Sequence, residues 1–257
     1  MKLKGIAMIC LILVVILIFR WDMIRGPSYR NNLEGDVLSN KVSISGLIPH
    51  YSDIYKTGFY LYTPEEIIKN PETKLPLVIH LHGANARGNG KEQLIRVKRH
   101  GLRTLIKKAE EYNFFVLAPQ AWSDYPVNLE YIIQDLLKEY QIDENKIYLT
   151  GVSMGGNGTW GYSLTHLDQL AAIVPICSNY YLTDVQAEVF DSLPIWVFHG
   201  ANDLDASVTF ANKNVNRIKK INRNIKYTVY EREGHAIWDK VYETNELYEW
   251  MLKQSKD

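Results

Sequence analysis

Short runs of apolar and β-branched residues recur from residue 75 onward and alternate with segments of helical periodicity. The runs are residues 77–81, 114–118, 146–150, 171–176, 195–198 and 227–230. Strands that are apolar on both faces are typical of a parallel sheet that is covered on both sides. In residues 129–140, apolar side chains step by three and four positions after Pro126, as in an amphipathic helix. This alternation predicts an α/β fold with a doubly wound, mostly parallel sheet.

Two shorter β-prone segments, residues 41–48 and 58–62, precede this pattern and are close enough in sequence to pair as antiparallel strands. We find no internal repeat and no low-complexity tract in the chain. Residues 38–257 are therefore predicted to form one domain of catalytic size, since about 220 residues is within the single-domain range.

The first 25 residues form a separate unit. Lys2 and Lys4 precede an apolar run over residues 5–19 that Arg20 closes. A charged start followed by about 15 apolar residues is typical of a secretory signal and short for a full membrane span. No small-x-small cleavage site follows, which favours an uncleaved signal anchor helix over a cleaved signal peptide or a buried core helix. The catalytic domain would then be extracytoplasmic and membrane-anchored, or secreted after cleavage, with residues 26–37 as a linker.

Charge and cysteine content exclude several classes of function. The chain has 29 Lys and Arg against 29 Asp and Glu, a formal net charge of +0 at pH 7. A nucleic-acid-binding protein needs a basic excess, so a nucleic-acid partner is not expected. The two cysteines, Cys10 and Cys177, are too few for a disulfide framework or a thiolate metal site, and no metal or organic cofactor is expected.

The strongest motif is Gly151-Val152-Ser153-Met154-Gly155, which directly follows the run at residues 146–150 and precedes a candidate helix over residues 156–166. A nucleophilic serine at a turn from strand to helix adopts a strained backbone, and the flanking glycines let neighbouring backbone pass. The start of the helix would also face the negative charge that develops during acyl transfer. The alternative is a glycine-rich turn that binds phosphate or nothing.

A nucleophilic serine needs a base and an orienting acid, which follow it in the order acid and then histidine in this type of sheet. His235 lies after the last candidate strand and is the predicted base, whereas His199 is expected to be a buried, hydrogen-bonded side chain. Asp203 follows the run at residues 195–198 and is the predicted acid, with Asp205 as the alternative. The aspartate that is not the acid is expected to cap the next helix.

The remaining parts of a catalytic site follow other strands. The loop Leu81-His82-Gly83-Ala84 ends the first long run and is expected to supply a backbone N–H beside that of Met154. Aromatic residues near strand ends are candidates for substrate contacts, and Trp122, Tyr180 and Trp238 are the predicted ones. Trp160 is expected to be helix core, and Arg87 is expected to be a solvated loop charge.

These motifs, read together as "HLHGANARGNG", "GVSMGGNGTW", "VFHGANDLDASV" and "EGHAIWDKVYETNELYEW", resemble the α/β-hydrolase superfamily. Within it the chain resembles dienelactone hydrolase, phospholipase/carboxylesterase and polyhydroxybutyrate-depolymerase-like esterases, over roughly residues 39–252. The resemblance implies Ser153 as nucleophile, Asp203 as acid and His235 as base, with Ala84 and Met154 as oxyanion donors. The chain departs from the family pattern after the acid. Relatives often carry an Asp-x-x-Val-Pro run there, whereas Asp203 is followed by Leu204-Asp205-Ala206-Ser207-Val208.

The function expected from these residues is hydrolysis of a small-molecule carboxylic ester through an acyl-enzyme. A serine peptidase that cleaves short peptides with the same three residues is the alternative. A binding module without catalysis is the third reading, which the presence of all three residues disfavours. The sequence does not fix the acyl group or the oligomeric state, because one sheet in this superfamily supports many substrates.

Overall fold

The computed structural model describes residues 29–30, 46–125 and 128–256. The strands within these ranges form one nine-stranded sheet in the order β1-β2-β3-β5-β4-β6-β7-β8-β9. The strands are β1 (Tyr29–Arg30), β2 (Leu47–Ser52), β3 (Thr57–Tyr62), β4 (Leu75–Leu81), β5 (Phe115–Pro119), β6 (Ile142–Val152), β7 (Ala172–Ile176), β8 (Ile195–Gly200) and β9 (Ile225–Tyr230).

The six strands from β4 to β9 are parallel to one another, and β1, β2 and β3 join one edge in antiparallel pairs. The prediction of a mostly parallel sheet is therefore confirmed. The predicted entry strand at residues 41–48 is observed only from Leu47, because residues 41–45 lie outside the described residues. Its antiparallel pairing with β3 runs from Leu47 opposite Tyr62 to Ser52 opposite Thr57.

Helices cover both faces of the sheet, as a doubly wound fold requires. They are α1 (Glu65–Lys69), α2 (Leu102–Tyr112), α3 (Leu129–Glu139), α4 (Met154–Ser163), α5 (Asp184–Glu188), α6 (Val208–Ile218), α7 (Trp238–Glu243) and α8 (Asn245–Met251). Successive residues of β4 face opposite cores: Leu77 and Ile79 pack with α3, α4 and α6, whereas Val78 packs with α2, α7 and α8. The alternation follows from the two-residue period of a strand.

The predicted anchor over residues 1–25 lies outside the described residues and stays a prediction. Two residues of the predicted linker, Tyr29 and Arg30, form β1 and pair with β2. Within the described ranges, none of the helices combines the length and apolar character that crossing a bilayer requires.

The parallel arrangement brings the carboxyl ends of β4, β6, β8 and β9 to one edge of the sheet. The loops after these four strands carry Ala84, Ser153, the two candidate acids Asp203 and Asp205, and His235, respectively. Ligands of open α/β sheets bind at this edge.

Candidate active site

Ser153 occupies a sharp turn between β6 and α4. Its backbone has φ 57° and ψ −117°, a conformation that residues other than glycine rarely adopt. The turn is possible because glycines lie two positions before and after Ser153: a Cβ on Gly151 would lie 2.2 Å from the carbonyl oxygen of Gly155. A Cβ on Gly155 would lie 1.9 Å from the carbonyl oxygen of Leu81, so β4 and its loop approach the turn directly.

His235 lies in the loop between β9 and α7 and contacts the serine. Its Nε2 is 2.8 Å from Oγ of Ser153, and its Nδ1 is 2.7 Å from Oδ2 of Asp203. The Trp238 ring stands edge-on to the imidazole with 5.9 Å between ring centroids. The three side chains therefore form a continuous hydrogen-bonded chain from carboxylate to hydroxyl, which is the geometry of an activated nucleophile.

Of the two candidate acids, Asp203 is the one hydrogen-bonded to His235. The Asp203 side chain is fully buried, whereas Asp205 is exposed. The Asp205 carboxylate nevertheless lies within 4.8 Å of the Asp203 carboxylate and of a ring nitrogen of His235. The second oxygen of Asp203, Oδ1, accepts hydrogen bonds from the backbone N–H groups of Asp205 at 2.9 Å and Ala206 at 2.8 Å. These bonds hold the carboxylate in one orientation beneath the imidazole.

The expectation that Asp205 would cap the next helix is wrong. Helix α6 begins at Val208, and its N-cap is Ser207, whose hydroxyl accepts a hydrogen bond from the Thr209 N–H at 3.3 Å. The physical reason lies in the loop itself: the bonds to Asp203 fold residues 203–206 into a turn of their own, so helical backbone starts only afterwards.

The environment of Asp203 favours its charged form. Burial raises the pKa of this carboxyl group, but the N–H of Ala206 and the ring of His235 lower the pKa by more, so that it lies below its ordinary value. His199, fully buried as expected, donates to the carbonyl oxygen of Ala206 at 2.8 Å and lies 3.3 Å from Asp203. Burial lowers the pKa of His199, so this neighbour is held neutral.

Two backbone N–H groups are available for an oxyanion. Met154 is the first residue of α4, and Ala84 is the first residue of a 3₁₀ turn over Ala84–Ala86. The first N–H groups of a helical turn have no acceptor within it. His82 fixes the Ala84 loop, because its Nδ1–H donates to the carbonyl oxygen of Gly83 at 2.8 Å while its Nε2 accepts from the Ala121 N–H at 2.9 Å.

The predicted substrate contacts differ in their positions. Trp122 is 72% exposed in the loop after β5, Tyr180 is half-buried beside α4, and Trp238 packs on His235. Trp238 contacts His235 and Tyr180 lines a cavity together with Met154, and the binding role of all three stays a prediction. Trp160 is core as expected, with its ring 5.3 Å from that of Phe190.

Sequence reasoning missed part of the site. Arg87 is partly exposed, as expected for a loop charge, and it forms an ion pair with Asp124 at the rim of a cavity beside α4. Gly158 and Gly161 line that cavity but were not recognised, although four glycines within residues 155–161 are an unusual density for a helix and indicate close approach of another group.

Two groups of side chains in the described part of the chain could offer ligand atoms to a metal ion. They are Cys177, His199 and Asp203, and Asp203, Asp205 and His235. Both groups depend on Asp203, whose two oxygens already accept hydrogen bonds from His235 and from backbone. Burial raises the pKa of the Cys177 thiol to about 12, which disfavours the thiolate that metals bind.

The fold, the strained serine and its hydrogen-bonded histidine define a class: the chain belongs to the α/β-hydrolase superfamily. Residues 120–247 match the family model described as phospholipase/carboxylesterase. Within the superfamily the similarity is therefore to esterase-like members, as the sequence motifs predict.

Known proteins support this placement. A solved thermostable esterase is 31% identical, with a TM-score of 0.68, over 78% of this chain and 60% of its own. A ferulic acid esterase has the same fold at 15% identity and a TM-score of 0.60, covering 80% of this chain and 97% of its own. The bifunctional acetylxylan esterase/xylanase XynS20E of Neocallimastix patriciarum is 27% identical over 154 residues, which are 56% of this chain and 21% of that protein. The chain thus spans only about a fifth of this curated relative.

Proposed function

We propose that the protein hydrolyses carboxylic esters by acyl transfer through Ser153, with His235 as general base and Asp203 as the orienting acid. The observation that supports this most directly is the chain of two hydrogen bonds, 2.8 Å and 2.7 Å long, that joins the three side chains at a strained turn. The similarity to esterases in both family and fold points to esters as the substrate class.

In the first step, the Ser153 oxygen attacks the ester carbonyl carbon while Nε2 of His235 takes the hydroxyl proton. The negative charge passes to the carbonyl oxygen, where the N–H groups of Met154 and Ala84 stabilise it, at about 3–4 kcal/mol per donor. The imidazolium then gives its proton to the departing alcohol, leaving an acyl-enzyme. Water repeats the attack with His235 again as base, which releases the carboxylic acid and restores the serine.

The roles of the electrostatic partners follow from their positions. The carboxylate of Asp203 stabilises the imidazolium through Nδ1 and holds the ring so that Nε2 faces Ser153. Because the pKa of Asp203 is lowered, this carboxylate is ionised at neutral pH and can stabilise the imidazolium formed in each step.

A paired measurement tests the proposal. We expect a fluorophosphonate probe to label the protein at Ser153, as shown by peptide mass spectrometry, and simple alkyl acetates to be hydrolysed faster than peptide amides of similar size. Amide cleavage at a rate equal to or above that of the esters would instead favour the serine peptidase. Absence of both labelling and hydrolysis would contradict a catalytic function.

The assignment of the acid is tested by the same substitution at two positions: Asp203, which is buried, and Asp205, which is exposed. Asp203→Asn should lower kcat for ester hydrolysis by about 10⁴-fold, because the amide cannot stabilise the imidazolium and favours the wrong tautomer. Asp205→Asn, at an exposed position, should change kcat less than about three-fold. Steady-state kinetics on both variants decide, and a larger loss in the Asp205 variant would reverse the assignment.

A further inference from the structure

A cavity of about 490 Å³ lies along the outer face of α4 and reaches the first residue of that helix, Met154. Its helical lining steps along one face from Met154, which directly follows Ser153, through Gly158 and Gly161 to Thr165. At 1.5 Å per residue this face extends over about 16 Å. The volume is that of a small-molecule binding site, and the lining includes Met154, the residue that follows the proposed nucleophile.

Aromatic rings form the walls of this cavity, and glycines leave room for them. The Tyr125 ring lies directly over Gly158, where a Cβ would come within 2.6 Å of it. The Tyr180 ring lies beside Gly161, with 3.7 Å between its edge and the position of a Cβ there. Tyr162 lies along the same helix face. A flat group that enters the cavity would therefore meet ring surfaces.

Most polar side chains of the lining are already hydrogen-bonded within the described part of the protein, and the Tyr180 hydroxyl is the exception. The Asn157 amide bonds to Ser178 and Asn179, the Tyr125 hydroxyl donates to the carbonyl oxygen of His82, and the Tyr162 hydroxyl donates to Gln169. A sugar needs hydrogen-bond partners for its hydroxyl groups, whereas a planar aromatic group gains from ring and carbon surface alone. The lining thus favours an aromatic group over a carbohydrate.

We propose that this cavity binds an aromatic ring carried by the ester substrate on a chain of several atoms. Gly158 and Gly161 lie about 8 and 12 Å from Ser153 along the helix, which sets the length of the chain between the ring and the reacting carbonyl. The inference rests on the proposed esterase function and adds to it the part of the substrate that gives specificity.

Gly161→Leu fills the cavity and tests this inference, since the 3.7 Å clearance at Gly161 accepts a side chain without displacing backbone. Lys213→Leu, on the exposed face of α6, is the matched control. The substrates are methyl ω-phenylpentanoate and ω-phenylpentyl acetate, which carry the ring on the acyl and on the alcohol side. Methyl pentanoate and pentyl acetate are their ring-free counterparts.

We expect the parent protein to prefer one ring-bearing ester over its counterpart by at least about ten-fold in kcat/KM, from burial of the ring and its pairing with the tyrosines. Gly161→Leu should abolish this preference, and Lys213→Leu should keep it. A preference that survives in Gly161→Leu, or a parent that prefers an acetylated sugar to both ring-bearing esters, overturns the inference.

A binding measurement separates this inference from the proposed function. In the Ser153→Ala variant, ω-phenylpentanoate should bind, as detected by titration calorimetry, and pentanoate should bind at least about ten-fold more weakly, because the ring is buried. Adding Gly161→Leu or Tyr180→Leu should remove that difference. If no ester is hydrolysed but this difference is found, only the proposed reaction fails. If ω-phenylpentanoate binds no better than pentanoate and ω-phenylpentanol no better than pentanol, the aromatic site is overturned.

Discussion

Replacing Ser153 by alanine should lower kcat for ester hydrolysis by about 10⁴- to 10⁶-fold, the range found when a nucleophile of this type is removed. The loss is large because His235 then has no hydroxyl to deprotonate, so only the oxyanion donors and substrate binding remain. The measurement is the steady-state rate on an alkyl acetate, with fluorophosphonate labelling as a second readout. A variant that keeps more than a hundredth of the parent rate would contradict Ser153 as nucleophile.

Glycine at the same position should separate catalysis from backbone strain. Ser153 has φ 57°, where a residue with a Cβ is strained and glycine is not. Ser153→Gly should therefore be as inactive as Ser153→Ala but more stable than it by about 1 kcal/mol, after the entropic cost of glycine is subtracted. Thermal unfolding of the two variants checks this, with an expected Tm difference of about 2–4 °C. Equal Tm values would show that the turn stores no strain.

The sheet and the elements around the serine were predictable from sequence because local chemistry determines them. Both-face burial requires continuous apolar strands, so β4 to β9 were each recognised within a few residues of their observed bounds. The glycines around Ser153 were equally clear, because Gly155 lies against the carbonyl oxygen of Leu81 and has no room for a side chain.

The sequence predicts Asp203 as the acid but leaves Asp205 as an alternative, because both follow the same strand and only the path of the loop separates them. In the structure the loop buries Asp203 under His235 and leaves Asp205 exposed. The cavity beside α4 is only partly predictable for a related reason. Tyr180 is a predicted substrate contact, but it is distant in sequence from Tyr125, and only the fold brings both rings onto Gly158 and Gly161.

Acid should destabilise the protein well above the pH at which carboxylates titrate, because buried histidines are held neutral and in three of them the pKa is lowered to about 4 or below. Burial lowers the pKa of His80 to about 3 and those of His50 and His82 to about 4. In the unfolded chain each titrates near its ordinary pKa of about 6.5. As the pH falls below about 6.5, the unfolded state takes up protons that the folded state does not, so stability that is fully present above this pH is progressively lost.

The expected loss between pH 7 and pH 5.5 is about 1 kcal/mol for each histidine, or about 3 kcal/mol in total, which lowers Tm by roughly 6–12 °C for a domain of this size. His50→Phe is the matched variant, because the ring stacks on Phe59 with 5.0 Å between centroids and Nε2 has no partner in the described structure. Phenylalanine keeps the stacking and removes the titration, so the Tm of this variant should fall by about 2–4 °C less than that of the parent over the same pH range. Differential scanning calorimetry at both pH values measures the two slopes, and identical slopes would contradict a neutral, buried His50 as a source of acid lability.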